Sequence, residues 1–223
     1  MNPNAARITT LALRPNAPPR DCLPTGLAPL DALLAQGNAG GFPRGAISAI
    51  LGPESSGRTT LVHSLLAAAT AQLEICAYVD TDDSFDPVSA AASGVALSQL
   101  VWIRCGHNAG HALKAADYLL HAGGFGAIVL DLCQVPARTA NRIPISYWYR
   151  FRRAIENTPT ILALLQREPM AASCTSLMLE LDRKKTIWTG APSFSLLRAV
   201  ELEATSRKPV RPAAVQFNAK AIS

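Results

Sequence analysis

The chain has 223 residues, 49% hydrophobic and 17% charged, with a net charge of +5. That composition suits one sizeable α/β domain with its own core and excludes a disordered or fibrous chain. No apolar run reaches membrane-span length and the first residues lack the basic-then-apolar order of a signal peptide, so a cytoplasmic protein is expected. The cysteines Cys22, Cys76, Cys105, Cys133 and Cys174 form no CxxC pair, and Cys76, Cys105 and Cys133 lie in or beside apolar runs, as reduced interior thiols do. The positive charge is concentrated in two zones. Arg138 to Arg153 holds five arginines and no acid, and from Arg183 onward eight basic residues face only Glu201 and Glu203. Such zones suit an acidic partner, either nucleic acid or an acidic protein surface, or else a solvated basic face.

In chain order, the start is rich in Pro, Asn, Ala and Arg. A short edge strand is expected over Arg7–Arg14, stopped by Pro15, Pro18 and Pro19. Leu27, Leu30, Leu33 and Leu34 recur at helical spacing and predict a short helix. Strand and helix then alternate. Strands are predicted at Ala46–Leu51, Ile75–Val79, Leu100–Ile103, Ala127–Leu130 and Thr160–Leu165, and helices at Thr59–Leu73, Val88–Leu97, Ala109–Ala122 and Ile145–Asn157. This alternation implies right-handed βαβ units and a mostly parallel sheet flanked by helices. Ser176–Leu181, Leu197–Ala204 and Ala213–Phe217 are strand-like with no helices between them, so antiparallel strands are expected at the C-terminal end. Arg183-Lys184-Lys185 falls between two of these and is expected as an exposed turn. The expected division is an arm over residues 1–23, a core over 24–217 and a tail over 218–223.

Gly52-Pro53-Glu54-Ser55-Ser56-Gly57-Arg58-Thr59-Thr60 follows a predicted strand and opens a predicted helix, the setting a phosphate-binding loop needs. Its backbone N–H groups would form a concave nest, with the helix N-terminus adding partial positive charge. The Thr59 hydroxyl and the Asp131 carboxylate, at the end of Ala127–Asp131, are the expected holders of Mg²⁺.

With these residues in view, the chain resembles the RecA-like recombinase family. The loop Gly52–Leu61 carries the resemblance, supported by Pro24–Asp31, Gly40–Gly45, Tyr78–Pro87, Gly94-Val95 and Leu165-Gln166-Arg167. The resemblance implies a RecA-like P-loop NTPase core with ATP and Mg²⁺ as cofactors, Asp82 as the catalytic carboxylate and Gln166 as the reporter of the γ-phosphate. It also marks departures. Arg58 stands where the family has lysine, keeping the charge on a longer, planar group. Asp82 stands where it has glutamate, a reach shorter by on the order of 1.5 Å, a misplacement that can cost ~100-fold in rate. Ser89 replaces a tyrosine that stacks on adenine. The two intervals that hold the family's DNA-binding loops are short here, and Pro15–Pro19 lies too near the start for the helix that latches onto a filament neighbour, so strand exchange by a self-assembled filament is not expected.

A RecA core with these changes resembles ImuA, the accessory family of inducible mutagenesis. That implies a regulatory role in the SOS response and translesion synthesis, with translesion polymerase subunits or RecA as partners, and single-stranded DNA as a further one. Two rivals stand: an active RecA-type DNA-dependent ATPase, and a nucleotide-independent module acting on RecA filaments. Arg142, Tyr147, Arg150, Arg152 and Arg153 are candidates for a nucleic-acid or partner surface, since aromatics among arginines can stack on bases or bind phosphates. The rival reading has the aromatics anchoring the helix while the arginines face water. Helical spacing puts Tyr147 with Arg150 on one face and Trp148 with Arg152 on another.

Overall fold

The computed structural model describes residues 21–35, 40–191 and 194–220. The expected strand over Arg7–Arg14 lies outside the described residues. A two-stranded antiparallel ribbon, β1 (Cys22–Leu23) with β2 (Phe42–Pro43), encloses α1 (Ala28–Leu34) in the chain. Asp31 shapes the turn into α1: its carboxylate accepts from the Thr25 N–H and hydroxyl, both at 2.8 Å, and from the Gly26 N–H at 3.1 Å.

Among the described residues the main sheet has eight strands. β3 (Ala46–Leu51), β4 (Cys76–Asp80), β5 (Leu100–Arg104), β6 (Ala127–Asp131) and β7 (Ile161–Gln166) match the predicted strands to within a residue or so. They are joined by α2 (Arg58–Ala71), α3 (Pro87–Ala92), α4 (Ala109–Ala122), α5 (Ala137–Ala140) and α6 (Ile145–Ile155). β8 (Leu177–Ala191), β9 (Phe194–Lys208) and β10 (Val210–Lys220) complete the order β10-β9-β8-β3-β7-β6-β4-β5. β8 through β5 run parallel, while the β8–β9 and β9–β10 pairs are antiparallel. The doubly covered strands show why the sequence pattern was readable. In β4, β6 and β7 every residue from Cys76 to Val79, Ala127 to Leu130 and Ile161 to Leu164 is buried, and alternate side chains enter opposite cores. One core holds Leu61, Leu65 and Leu66 of α2 with Val129, Ala163 and Leu165; the other holds Leu113, Trp148 and Phe151 with Ile128 and Leu162.

Three expectations are corrected. The helix expected over Val88–Leu97 stops at Ala92, because Gly94 takes φ +94° and the Val95 N–H turns back to the Ala90 carbonyl at 3.1 Å. Arg183-Lys184-Lys185 is no turn but the middle of β8, with Arg183 paired to Leu202 and Lys185 to Glu201 across an irregularity at Lys184. Trp148 does not share a face with Arg152: it lies inside with Phe151 and Ile155, at i, i+3 and i+7, while Arg152 is exposed. No helix among the described residues is long and apolar enough to cross a membrane.

Candidate nucleotide site

The register brings the four motif-bearing strand ends level. Leu51 pairs with Gln166, Leu165 with Asp131, and Asp131 with Asp80. The loop after β3, the Gln166 end of β7, Asp131 and the acidic segment after Asp80 therefore meet along one edge, where open parallel sheets bind ligands.

The loop itself needs its glycines. A Cβ on Gly52 (φ +149°) would come within 2.4 Å of the Leu181 carbonyl oxygen, and one on Gly57 (φ +90°) within 2.2 Å of Leu202 Cδ1. The loop is thus clasped from the β8–β9 side. Arg58 opens α2 and turns inward: it is 8% exposed, and its Nη1 donates to the Gln166 backbone carbonyl at 3.2 Å. Lysine, a point charge on a flexible stem, does not offer this planar fork. Beside it, Arg167 joins the loop to the segment after β6. It donates to the Glu54 carboxylate, to the Cys133 carbonyl at 2.9 Å and to Gln134 Oε1 at 2.8 Å. Gln166 is fully buried; its Oε1 accepts from the Met170 N–H at 3.0 Å, while Nε2 has no partner among the described residues. Ser56 Oγ, 1% exposed, is also without a partner among the described residues. Against the loop lies a cavity of about 250 Å³, bounded by Ser55–Thr60 on one side and by Val200, Leu202 and Ala219 on the other. The phosphate half of the site therefore fits an anion: α2 starts there, and two buried polar groups await partners.

The metal half is arranged differently. Thr59 is exposed, whereas Asp131 is buried and bonded on both oxygens. Its Oδ2 accepts from the Tyr78 hydroxyl at 2.8 Å and from Ser84 Oγ at 3.2 Å, and its Oδ1 accepts from the Cys133 N–H at 2.9 Å. Burial, and then the Asp131 charge, holds the Tyr78 hydroxyl well above its ordinary pKa, so it remains a donor. The same causes push the Cys133 thiol up, leaving it protonated and unreactive. Asp80, fully buried, organises the acidic segment: its carboxylate accepts from the Ser84 N–H at 3.0 Å, the Phe85 N–H at 3.0 Å and Trp102 Nε1 at 3.1 Å. Asp82 is paired with His107, Oδ1 to Nδ1 at 3.2 Å. Asp83 is held below the usual carboxylate range by its hydrogen bonds to Arg104, which lies over the Trp102 ring.

Of the residues singled out from sequence, the structure joins Arg58 to Gln166, and no hydrogen bond links Thr59 to Asp131 among the described residues. Tyr78, Asp80, Ser84, His107 and Arg167 were not singled out. A carboxylate closing a buried strand, as Asp80 does, was the available signal. On α6, Arg150 lies over the Tyr147 ring at 4.8 Å and pairs with Asp117 at 2.8 Å, so the two share a face as expected; Arg142, Arg152 and Arg153 are exposed.

Fold and site together define a RecA-type P-loop core. The family model of the RecA N-terminal domain matches residues 9–141, and the chain belongs to that RecA-like family. Protein RecA of Methylococcus capsulatus is 40% identical over 111 residues, 50% of this chain and 31% of that protein. Protein RecA of Borrelia hermsii is 42% identical over 92 residues, 41% of this chain and 26% of that protein. The match thus spans less than a third of each of these relatives. The crystal structure of the RadB recombinase shares the fold, with a TM-score of 0.64 at 19% identity over 89% of this chain and 95% of that one.

Proposed function

We propose that this chain is a RecA-family accessory protein of the DNA-damage response. It serves translesion synthesis through protein partners and keeps its nucleotide site for binding rather than hydrolysis. The observation that carries this reading is the contrast within the site. Arg58 is drawn to the Gln166 carbonyl and Asp82 to His107, while both Asp131 oxygens are bonded to Tyr78, Ser84 and Cys133. Loop amides, Ser56 and Arg58 would hold the phosphates of ATP, with Thr59 and Asp131 at the Mg²⁺; the metal would neutralise phosphate charge. The short segment 167–176 between β7 and β8, and α5 with α6 between β6 and β7, leave little room for long DNA-binding loops. This agrees with partners drawn from translesion polymerase subunits or RecA, with single-stranded DNA a secondary ligand of the exposed arginines.

A second reading, a module that needs no nucleotide to bind its partner, is favoured by the distal β8–β9 hairpin. Trp188, Phe194, Leu196 and Leu197 are exposed there, at 57, 83, 75 and 38%. Titration of a fluorescent ATP analogue with Mg²⁺, for wild type and Arg58→Lys, combined with turnover assays, separates the readings. Saturable binding with negligible turnover, unchanged by single-stranded DNA, is expected. DNA-stimulated turnover would instead make the chain an active ATPase. Absence of binding with partner capture intact would favour the module.

A further inference from the structure

We infer that the cavity beside the loop recognises the polyphosphate of its ligand and not the base, so that nucleoside triphosphates of any base, and inorganic tripolyphosphate, bind it alike. This rests on the nucleotide-binding reading above and adds what the site discriminates. Among the described residues, every polar side chain that lines the cavity belongs to the loop and the first turn of α2: Ser55, Ser56, Arg58, Thr59 and Thr60. These are groups placed for phosphate oxygens and, through Thr59, for the Mg²⁺ that accompanies them. The opposite wall is aliphatic, made by Val200, Leu202 and Ala219. Its position is fixed, because Leu202 is 1% exposed and seated where a Gly57 side chain would be.

Bases are told apart by donors and acceptors on their edges. An aliphatic wall offers none of these; it offers contact area, which every base can supply with its flat face. The cavity, at about 250 Å³, also falls just below the ~300–1,000 Å³ of ordinary small-molecule pockets. That is ample for phosphates and spare for a base and ribose enclosed together. Ser89, where the family resemblance puts the adenine contact, does not line the cavity and has its hydroxyl engaged at the start of α3. Its hydroxyl donates to Asp86 at 2.5 Å, and the Asp86 carboxylate also accepts the Val88 and Ser89 N–H groups that begin α3.

The test is calorimetric titration of the full chain with ATP, GTP, CTP and inorganic tripolyphosphate, each with Mg²⁺. All four dissociation constants are expected within about tenfold of one another, the spread that non-directional contact leaves. Val200→Glu, which sets a carboxylate on the cavity wall, is expected to weaken all four by at least about tenfold through like-charge repulsion, with its fold checked by circular dichroism. A preference beyond tenfold for one base, or for ATP over tripolyphosphate, overturns the inference while leaving nucleotide binding intact. Binding that Val200→Glu does not touch places the anion elsewhere on this basic protein and overturns it too. If none of the four binds, the nucleotide reading itself fails, and the inference with it.

Discussion

The two halves of the site stand on the same sheet edge and are built on opposite plans. In the phosphate half, between β3 and β7, the loop is held by Leu202 and Arg167, yet Ser56 Oγ and Gln166 Nε2 have no partners among the described residues. In the metal half, between β6 and β4, Asp80 and Asp131 are both bonded on each oxygen by the protein's own donors. Buried polar groups without partners cost stability, and their persistence is expected where a ligand supplies what the fold does not. Carboxylates already bonded on both oxygens are poorer ligands for a cation that must compete with their hydrogen bonds. On the function proposed above, the same edge would bind the phosphates of a nucleotide and still be slow to hydrolyse that nucleotide.

The sharpest way to break this contrast is to disturb the clasp on the phosphate half. Gly57→Val imposes a β-branched residue at φ +90° and drives its Cβ into Leu202. Backbone strain of ~1–3 kcal/mol and overpacking of similar size together lower stability by about 2–6 kcal/mol. Urea unfolding should show this as a lower midpoint with the slope kept. An unchanged midpoint would mean that β9 does not seat on the loop.

Asp80→Ala attacks the metal half in the same measure. It leaves the N–H groups of Ser84 and Phe85 and Trp102 Nε1 without their acceptor. A loss of about 3 kcal/mol is expected, since hydrogen bonds to charged groups contribute ~1.5–3 kcal/mol each and exposed donors recover water. The Trp102 fluorescence should shift with it, because the indole loses its acceptor. A midpoint within error of wild type would deny Asp80 its organising role.

Much of this arrangement was legible in the sequence. β3, β4, β6 and β7 announced themselves because both faces are apolar and each run ends at a polar residue or glycine that breaks it: Gly52, Asp80, Asp131 and Gln166. α4 was readable to the residue, from its Asn108 cap to Gly123. β8 was legible only as far as Leu181, within the expected Ser176–Leu181 strand, because beyond that residue it leaves the core. A charged ribbon carries no hydrophobic alternation, and the strand is held by cross-strand partners such as Lys184 and Glu203 at 2.7 Å. Within the site, the loop and its flanking acids were visible as motifs. The bonds that decide their chemistry were not, since Tyr78 to Asp131, Arg58 to Gln166 and Arg167 to Glu54 join positions 53, 108 and 113 residues apart. Such pairings depend on strand order, which local pattern does not encode.

Tyr78→Phe makes the metal half more like an open one. It removes the 2.8 Å donor from Asp131 Oδ2 and leaves the ring packed against Phe85. Stability should fall by about 1.5–3 kcal/mol, a hydrogen bond to a buried charge. In return the carboxylate gains a free lone pair for a cation, so the ratio of nucleotide affinities with and without Mg²⁺ should rise above that of wild type. An unaltered ratio would separate Asp131 from the metal.

The smallest effect expected is one of pH, at the seam between the halves. His63 on α2 meets Phe85 of the acidic segment edge-on, with centroids 5.9 Å apart; its Nδ1 lies 3.4 Å from Ser93 Oγ and its Nε2 is buried with no partner among the described residues. Burial lowers the His63 pKa, and the nearby Asp86 charge opposes the shift only in part. The folded state therefore favours the neutral ring. Above the unfolded value of about 6.5, neither state holds the proton and the stability is complete. As pH falls below that value the unfolded chain takes up a proton that the folded chain resists, and stability is lost until the folded pKa is passed. Melting temperatures at about pH 7.5 and 5.5 should therefore drop further in wild type than in His63→Phe, which keeps the ring contact and cannot titrate. Equal drops would assign the acid sensitivity to groups away from this seam, and would leave the packing of α2 on the acidic segment independent of proton uptake.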